Sequence, residues 1–353
     1  MKTINFNAGP SHLPQETIDH TVAALKDFAG TGLSLACVSH RSGEFKDVVS
    51  EAEALFGELL NIPRGYKTLF LGGGASLQFA MVPMNFMKSR AGYLDTGTWS
   101  KKAIAEAEKF GDVERIAEAD YFSLPKDYDV PENIDYFHVT SNNTIYGTQL
   151  RDDPEASVPL IADMSSDIFS RPIDVSRYAL IYGGAQKNLG PAGATFVIVR
   201  EDALGTVDRD LPTMLDYRTH IEKDSLYNTP PAIAIFACLQ TLKWIKKEGG
   251  VSEMQNRNEE KAALLYDEID RNPLFRATIA NPDDRSRMNV CWVMADDAEE
   301  HEESFLDFAI EHNLVGLKGH RSVGGFRASI YNAVTKAEVE TLIEIMQKFE
   351  KSL

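Results

Sequence analysis

Phe45, Val48, Val49, Ala52, Leu55, Phe56 and Leu59 recur at the spacing of one helix face, which predicts an amphipathic helix over about 44–60. Beyond it the texture changes to short apolar runs at 68–71, 91–94, 136–139, 158–162, 180–182 and 195–199, the pattern of strands buried on both faces. Helical or loop segments separate several of these runs, and the alternation predicts an α/β domain on a largely parallel sheet. From about 231 to 271 the pattern is helical, with a break at Gly249-Gly250. A strand at 289–294, a helix at 303–311, a strand at 326–330 and a closing amphipathic helix at 336–349 then make a smaller α+β unit. The expected division is a large domain over 15–255 and a small C-terminal domain over 256–353, joined by the N-terminal segment 1–14. No repeat, low-complexity tract or flexible linker interrupts this plan.

A length of 353 residues agrees with a large domain plus a smaller one. The formal net charge of -17, from 53 acidic against 36 basic residues, argues against a nucleic-acid partner, which needs a basic footprint. It also means that an anionic ligand would require a local cluster of cations to overcome the global field. The acidic stretch 296–303 reads as a solvated turn and helix start, where carboxylates favour the positive end of the dipole. The longest unbroken apolar run, 232–239, is too short to span a bilayer, so no membrane partner is expected. The first ten residues show no targeting pattern. Cys37, Cys238 and Cys291 are scattered without metal-like spacing, which suits a reducing cytoplasm and predicts no metal site.

In open α/β sheets ligands bind at the carboxyl ends of the strands, so the polar residues just after each apolar run are the candidates. Lys187 lies between the run Tyr178-Ala-Leu-Ile-Tyr182 and a glycine turn; it could form a Schiff base with a carbonyl, or simply reach into solvent. Gly72-Gly-Gly-Ala-Ser76 opens a helix and could cup a phosphate, or serve only as a packing turn. Trp99, in Asp95-Thr-Gly-Thr-Trp99, could stack on a planar ligand or be partly buried packing. Thr140-Ser-Asn-Asn-Thr-Ile-Tyr-Gly147 is a polar cluster around a glycine turn. Asp163 ends the run Val158-Pro-Leu-Ile-Ala162, a costly place for a carboxylate without a cationic partner, and a protonated pyridine nitrogen would be one. A glycine-rich cup, a stacking Trp, a buried Asp and a Schiff-base Lys are the parts that pyridoxal phosphate requires, and their joint occurrence says more than any one of them.

At this level the chain resembles the phosphoserine aminotransferase family of class V, fold-type I pyridoxal-phosphate enzymes, nearly end to end. The likeness rests on Asn5-Phe-Asn-Ala-Gly-Pro10, Ser39-His-Arg-Ser-Gly-Glu-Phe45, Gly72-Gly-Gly-Ala-Ser-Leu-Gln-Phe79, Asn143-Thr-Ile-Tyr-Gly147, Gly184-Ala-Gln-Lys-Asn188, Tyr227-Asn-Thr-Pro-Pro231 and Gly324-Gly-Phe-Arg-Ala-Ser-Ile-Tyr-Asn332. The resemblance implies a seven-stranded, mainly parallel sheet in the large domain. It implies pyridoxal 5'-phosphate bound as a Schiff base on Lys187, with Asp163 on the pyridinium nitrogen, Trp99 stacked on the ring and Thr144 on the phenolic oxygen. The phosphate would rest on the backbone of Ala75 and Ser76 with Gln186, and Asn228 and Thr229 would reach the phosphate of the other subunit, so a homodimer with shared active sites is expected.

The same resemblance explains the cations Arg327 and the two His-Arg pairs, His40-Arg41 and His320-Arg321, which both lie in glycine-bearing loops. Arg327 would clamp the substrate α-carboxylate, while His40 and Arg41, with His320 and Arg321 from the partner subunit, would hold the distal anion. The implied reaction moves the amino group of glutamate to 3-phosphohydroxypyruvate, giving 2-oxoglutarate and phosphoserine, in serine biosynthesis and with it pyridoxine biosynthesis. One departure stands out: some members carry an arginine where this chain has Ser76, which implies one cation fewer on the substrate phosphate. Another class V aminotransferase, acting on alanine, serine or glyoxylate, would not need the two His-Arg pairs. A cysteine desulfurase would need a nucleophilic cysteine in a C-terminal loop, whereas Cys291 lies in a strand pattern. A Rossmann-type nucleotide-binding protein would leave Lys187 and Asp163 unused.

Overall fold

The computed structural model describes residues 3–353. The apolar spacing read from the sequence produces a helix over Gly43–Leu59, here α2, started by Ser42, whose hydroxyl accepts from the Phe45 amide at 3.3 Å. It follows α1 (Gln15–Lys26) and leads into β1 (Tyr66–Leu71), α3 (Gly74–Phe86), β2 (Arg90–Asp95), α4 (Thr98–Ala107) and β3 (Asp112–Glu118). The sheet is completed by β4 (Phe137–Thr140), β5 (Leu160–Asp163), β6 (Tyr178–Gly184) and β7 (Thr195–Arg200). The strands lie in the order β1-β7-β6-β5-β4-β2-β3, seven in all. Only β7 runs against its neighbours β1 and β6; the other pairings are parallel. The sheet is therefore mainly parallel, as expected, and the ends of β1, β2, β4, β5 and β6 all open on one edge.

Alternate residues of the strands feed two different cores, as the pleat requires. Phe196 and Ile198 pack with Phe45, Phe56 and Leu239 on one face, while Val197 and Val199 pack with Phe79, Val82 and Ile104 on the other. The one strand of this sheet that the hydrophobic pattern did not predict is β3, Asp-Val-Glu-Arg-Ile-Ala-Glu, whose residues are exposed or half-buried. It sits at the sheet edge beside β2, where charged side chains discourage pairing with another chain.

Two helices, α5 (Ala232–Lys247) and α6 (Gly250–Arg271), lead away from the sheet. Gly249 between them adopts φ +106°, a left-handed conformation open to glycine. A three-stranded antiparallel sheet follows, β8 (Phe275–Ala277), β9 (Asn289–Met294) and β10 (Phe326–Ser329), flanked by α7 (Glu302–Glu311) and α8 (Lys336–Glu350). A separate hydrophobic core runs from Ala262 to Phe349 and takes in Phe6, because Ile4 and Asn5 pair with Leu314 and Val315.

Polar side chains stitch this C-terminal sheet to the large one. Asn142 donates to Asn289 at 2.7 Å and accepts from Ser286 at 2.6 Å, while Asn289 donates to Ser329 at 3.0 Å and Tyr331 at 3.1 Å. Lys261 on α6 is buried, and its ammonium donates to the carbonyls of Ile330, Tyr331 and Val334 at 2.9, 2.8 and 2.8 Å. Burial pushes its pKa down to about 7, but three carbonyl acceptors need three protons, so the charged form is the one this site holds. Lys261→Met leaves those carbonyls without a donor and should cost about 2–4 kcal/mol of unfolding free energy in urea. A loss below about 0.5 kcal/mol would show that the carbonyls find other donors.

Candidate active site

At the open edge of the sheet, Asp163 is the last residue of β5 and Lys187 follows β6 by three positions. Asp163 is 5% exposed, and its Oδ1 accepts from the Ser165 amide at 2.9 Å and the Ser165 hydroxyl at 2.5 Å. This tight turn is possible because Gly183 has no side chain: a Cβ there would lie 2.7 Å from the Ser165 Cα. Burial raises the Asp163 pKa, and the Lys187 charge together with the two Ser165 bonds works against that rise.

Lys187 is half-buried and donates from Nζ to Thr144 Oγ1 at 2.7 Å. Desolvation lowers its pKa to about 8; Arg327 acts in the same direction, while Asp163 and the buried Asp167 hold it up. An amine with that balance can be neutral near physiological pH without losing its fixed position. Its backbone is held on several sides. Ser11 donates from its amide to the Gln186 carbonyl at 3.1 Å and from its hydroxyl to the Lys187 carbonyl. Asn188 donates to the Ile168 carbonyl at 2.6 Å and accepts from the Asn332 amide at 2.9 Å, tying the lysine turn to the segment that follows β10.

Trp99 begins the first turn of α4, with its ring centroid 5.3 Å from Lys187 Nζ. The turn before it is held by Ser100, whose hydroxyl accepts from the Thr96 and Gly97 amides at 3.0 and 2.9 Å and donates to the buried Asp95 at 3.0 Å. Ala75 and Ser76 lie in the first turn of α3, preceded by Gly73 at φ +88°. A Cβ on Gly73 would come within 2.5 Å of Leu77 Cδ2, so only glycine leaves this cup its shape. The first amides of α3 have no helical acceptor and bring the positive end of the dipole with them.

Arg327, on β10, donates from Nη1 to the Thr144 carbonyl at 3.1 Å, and its buried Nε has no partner. His320 occupies the loop before β10, with Nδ1 2.7 Å from the Ser322 hydroxyl. Burial and the neighbouring cations Arg327, Arg321 and Lys102 hold its imidazole below the usual range. Asp163, Lys187, Trp99, Thr144, Gln186 and Arg327 are thus linked within one chain; His320, expected together with Arg321 to serve the partner subunit's site, instead feels the charge of Arg327 in its own chain. His40, Arg41, Asn228 and Thr229 lie elsewhere: His40 and Thr229 line an apolar cavity of about 580 Å³ with Pro230 and Pro231, and Arg41 faces a second cavity beside Lys46 and Glu53. Among the described residues, none of these four bonds to Lys187, Asp163, Trp99 or Arg327.

Three contributors carried little signal in the sequence. Ser165 and Asp167 sit in a serine-rich turn that reads as a loop, although Asp167 is buried and accepts from Ser141 at 2.5 Å. Lys102 looks like a helix-surface lysine, yet its Nζ stands 4.6 Å from the Trp99 centroid.

The donor set fits pyridoxal phosphate. The indole N–H of Trp99 is buried without a partner, the cup offers free amides for a phosphate, Asp163 supplies a carboxylate at ring depth, and Lys187 supplies the amine. The aminotransferase class-V family matches residues 3–342. A phosphoserine aminotransferase of Phocaeicola vulgatus is 61% identical, the alignment covering 99% of each chain. Among solved structures, phosphoserine aminotransferase from Bacillus circulans subsp. alkalophilus superposes with a TM-score of 0.96 at 46% identity over 99% of each chain. The PLP-bound phosphoserine aminotransferase from Trichomonas vaginalis gives 0.93 at 37% identity, covering 98% of this chain and 100% of that one.

The charges around Lys187 predict how it titrates in cofactor-free protein. Its labelling by trinitrobenzenesulfonate, read by peptide mass spectrometry, should rise with a midpoint near pH 8, because its folded pKa lies below 10.5. Asp163→Asn removes a charge that raises the pKa, so the midpoint should fall; Arg327→Met removes one that lowers it, so the midpoint should rise. A wild-type midpoint near 10.5 would contradict this electrostatic picture.

Proposed function

The chain belongs to the class-V aminotransferase family, and we propose that it is the phosphoserine transaminase among them, moving the amino group of glutamate to 3-phosphohydroxypyruvate and releasing 2-oxoglutarate and phosphoserine. The observation that carries this reading is the Lys187 amine, lowered to a pKa of about 8 and aimed by Thr144, between Asp163, Trp99 and a cluster of cations. When bound, pyridoxal phosphate supplies an electron sink for the pair left on the substrate Cα once its proton departs. Asp163, whose carboxylate the Ser165 bonds and Lys187 favour against the rise that burial imposes, would hold a proton on the ring nitrogen. Trp99 would cover the ring face and exclude water from it. Ala75, Ser76 and Gln186 would receive the cofactor phosphate at the mouth of α3.

Lys187 Nζ takes the proton from the substrate Cα and holds it for return, as general base and then general acid. Arg327, with its Nε unpartnered, grips the α-carboxylate and so turns that Cα–H toward Lys187. The distal end of both substrates is anionic, a carboxylate in glutamate and a phosphate in the keto acid. His320 and Arg321 meet it from the loop before β10. A small neutral substrate such as alanine would leave these cations without a counter-charge, which disfavours the alternative class-V substrates.

A second copy of the chain would complete the site. Ile18, Val22 and Leu25 form an exposed apolar stripe on α1, and Leu33, Tyr227 and Ile233 are exposed as well. Helix α1 packs on α5, and the loop bearing His40 borders the segment 229–234 that starts α5, so apolar and cationic groups share one side of the molecule. Burying that side in a homodimer would carry His40, Arg41, Asn228 and Thr229 toward a partner's site. The free state of Cys37, Cys238 and Cys291 accords with a reducing cytoplasm.

The test is a half-reaction panel on purified protein loaded with pyridoxal phosphate, starting from a visible band that borohydride removes. Glutamate and phosphoserine should each convert the cofactor, and 3-phosphohydroxypyruvate should restore it; failure of both amino acids rejects the assignment. Lys187→Ala should lower the rate at least about 10³-fold. Asp163→Asn should still bind cofactor but lose most of the rate, and full activity in that variant would remove Asp163 from the mechanism.

A further inference from the structure

The first turns of α4 carry two side chains three residues apart, Trp99 and the exposed Lys102, which places them on one face of the helix. The Lys102 ammonium stands 4.6 Å from the indole centroid while Lys187 Nζ stands 5.3 Å from the same ring. Lys102 has no carboxylate within 4.0 Å among the described residues, in a chain with 53 acids and 36 bases. The charges of Arg327, Arg321 and Lys102 all act to hold the His320 imidazole below its usual range, after burial. The glycine cup opposite, Ala75 and Ser76, contributes no cation of its own.

Cations gathered without a counter-ion repel one another, and an anion placed among them removes that cost. The Lys102 ammonium stands over the indole, whose electron-rich face attracts a cation and helps hold it in place. A phosphate monoester carries about -1.5 to -2 at neutral pH against -1 for a carboxylate, so an extra cation at the rim favours the phosphate more.

On the functional reading above, we propose that Lys102 is a specificity-determining residue that grips the phosphate of the keto-acid substrate and of phosphoserine more strongly than the side-chain carboxylate of glutamate. The test compares wild-type holoenzyme with Lys102→Gln and Lys102→Arg. In Lys102→Gln, kcat/KM for 3-phosphohydroxypyruvate should fall about tenfold relative to kcat/KM for glutamate, through KM rather than kcat, and Lys102→Arg should restore most of it. Equal losses for both substrates, or no loss, overturn the proposal. A second readout is independent of turnover: inorganic phosphate titrated against tryptophan fluorescence of the holoenzyme should bind about tenfold more weakly in Lys102→Gln. An unchanged phosphate affinity overturns the proposal as well. Wild-type protein that transfers nothing between glutamate and 3-phosphohydroxypyruvate would sink the functional reading, while the phosphate titration still decides the role of Lys102.

Discussion

One amine and one carboxylate, both placed where water is scarce, set the conditions for everything around them. Burial drives Lys187 toward its neutral form and Asp163 toward its protonated form, and each opposes the other's shift. An isolated buried charge costs several kcal/mol, so neither group could stand at the sheet edge alone. Ser165 offsets part of the rise at Asp163, and Thr144 accepts a hydrogen bond from Lys187 Nζ. These bonds work only if the two strand ends keep a fixed register. The parallel pairing of β5 with β6, which sets Asp163 opposite Tyr182, provides it. The sheet is thus a frame that holds two opposed charges at a spacing side chains alone could not maintain.

That frame must also include the C-terminal sheet, because Arg327 shifts the Lys187 pKa in the opposite sense to Asp163. Arg327 belongs to a separate hydrophobic core, and its position relative to Lys187 rests on polar links rather than apolar packing. Asn188 to Asn332, Asn142 to Asn289 and Tyr331 to the Ala8 carbonyl are directional bonds at 2.9, 2.7 and 2.9 Å. Apolar contacts tolerate sliding, whereas a buried amide network is satisfied in one arrangement. The balance at Lys187 is therefore set by the same bonds that join the two sheets.

Much of this was legible in the sequence, for physical reasons that also mark the limits. The apolar spacing of α2 located it within a residue at each end, and six runs became strands because strands buried on both faces must be continuous in apolar residues. The edge strand β3 escaped because half-exposed positions carry Glu114 and Arg115, and the reversed direction of β7 escaped because an apolar run has no polarity. Asp163, Lys187 and Trp99 stood out as polar or aromatic residues at the ends of such runs. Ser165, Asp167 and Lys102 did not, since their importance lies in contacts with residues distant in sequence or in a neighbour on the same helix face. His40, Arg41, Asn228 and Thr229 were marked only by resemblance, and among the described residues no bond ties them to Lys187.

The acidic character of the chain bears on why the cations at this site are left unneutralised. Elsewhere several basic side chains find carboxylates, as Lys243 does with Glu51 at 2.8 Å and Arg257 with Glu248 at 2.8 Å. Lys102, Arg321 and Arg327 take part in no such pair among the described residues, although carboxylates outnumber them across the surface. A net charge of -17 repels anionic substrates at long range, but at physiological salt that repulsion fades beyond about 8 Å. Inside that distance the local cations act alone. A carboxylate among them would restore the balance of the empty site and abolish its attraction for an anion. Keeping the cluster unpaired makes the cofactor-side environment electrostatically incomplete, and the anionic end of the substrate is what completes it.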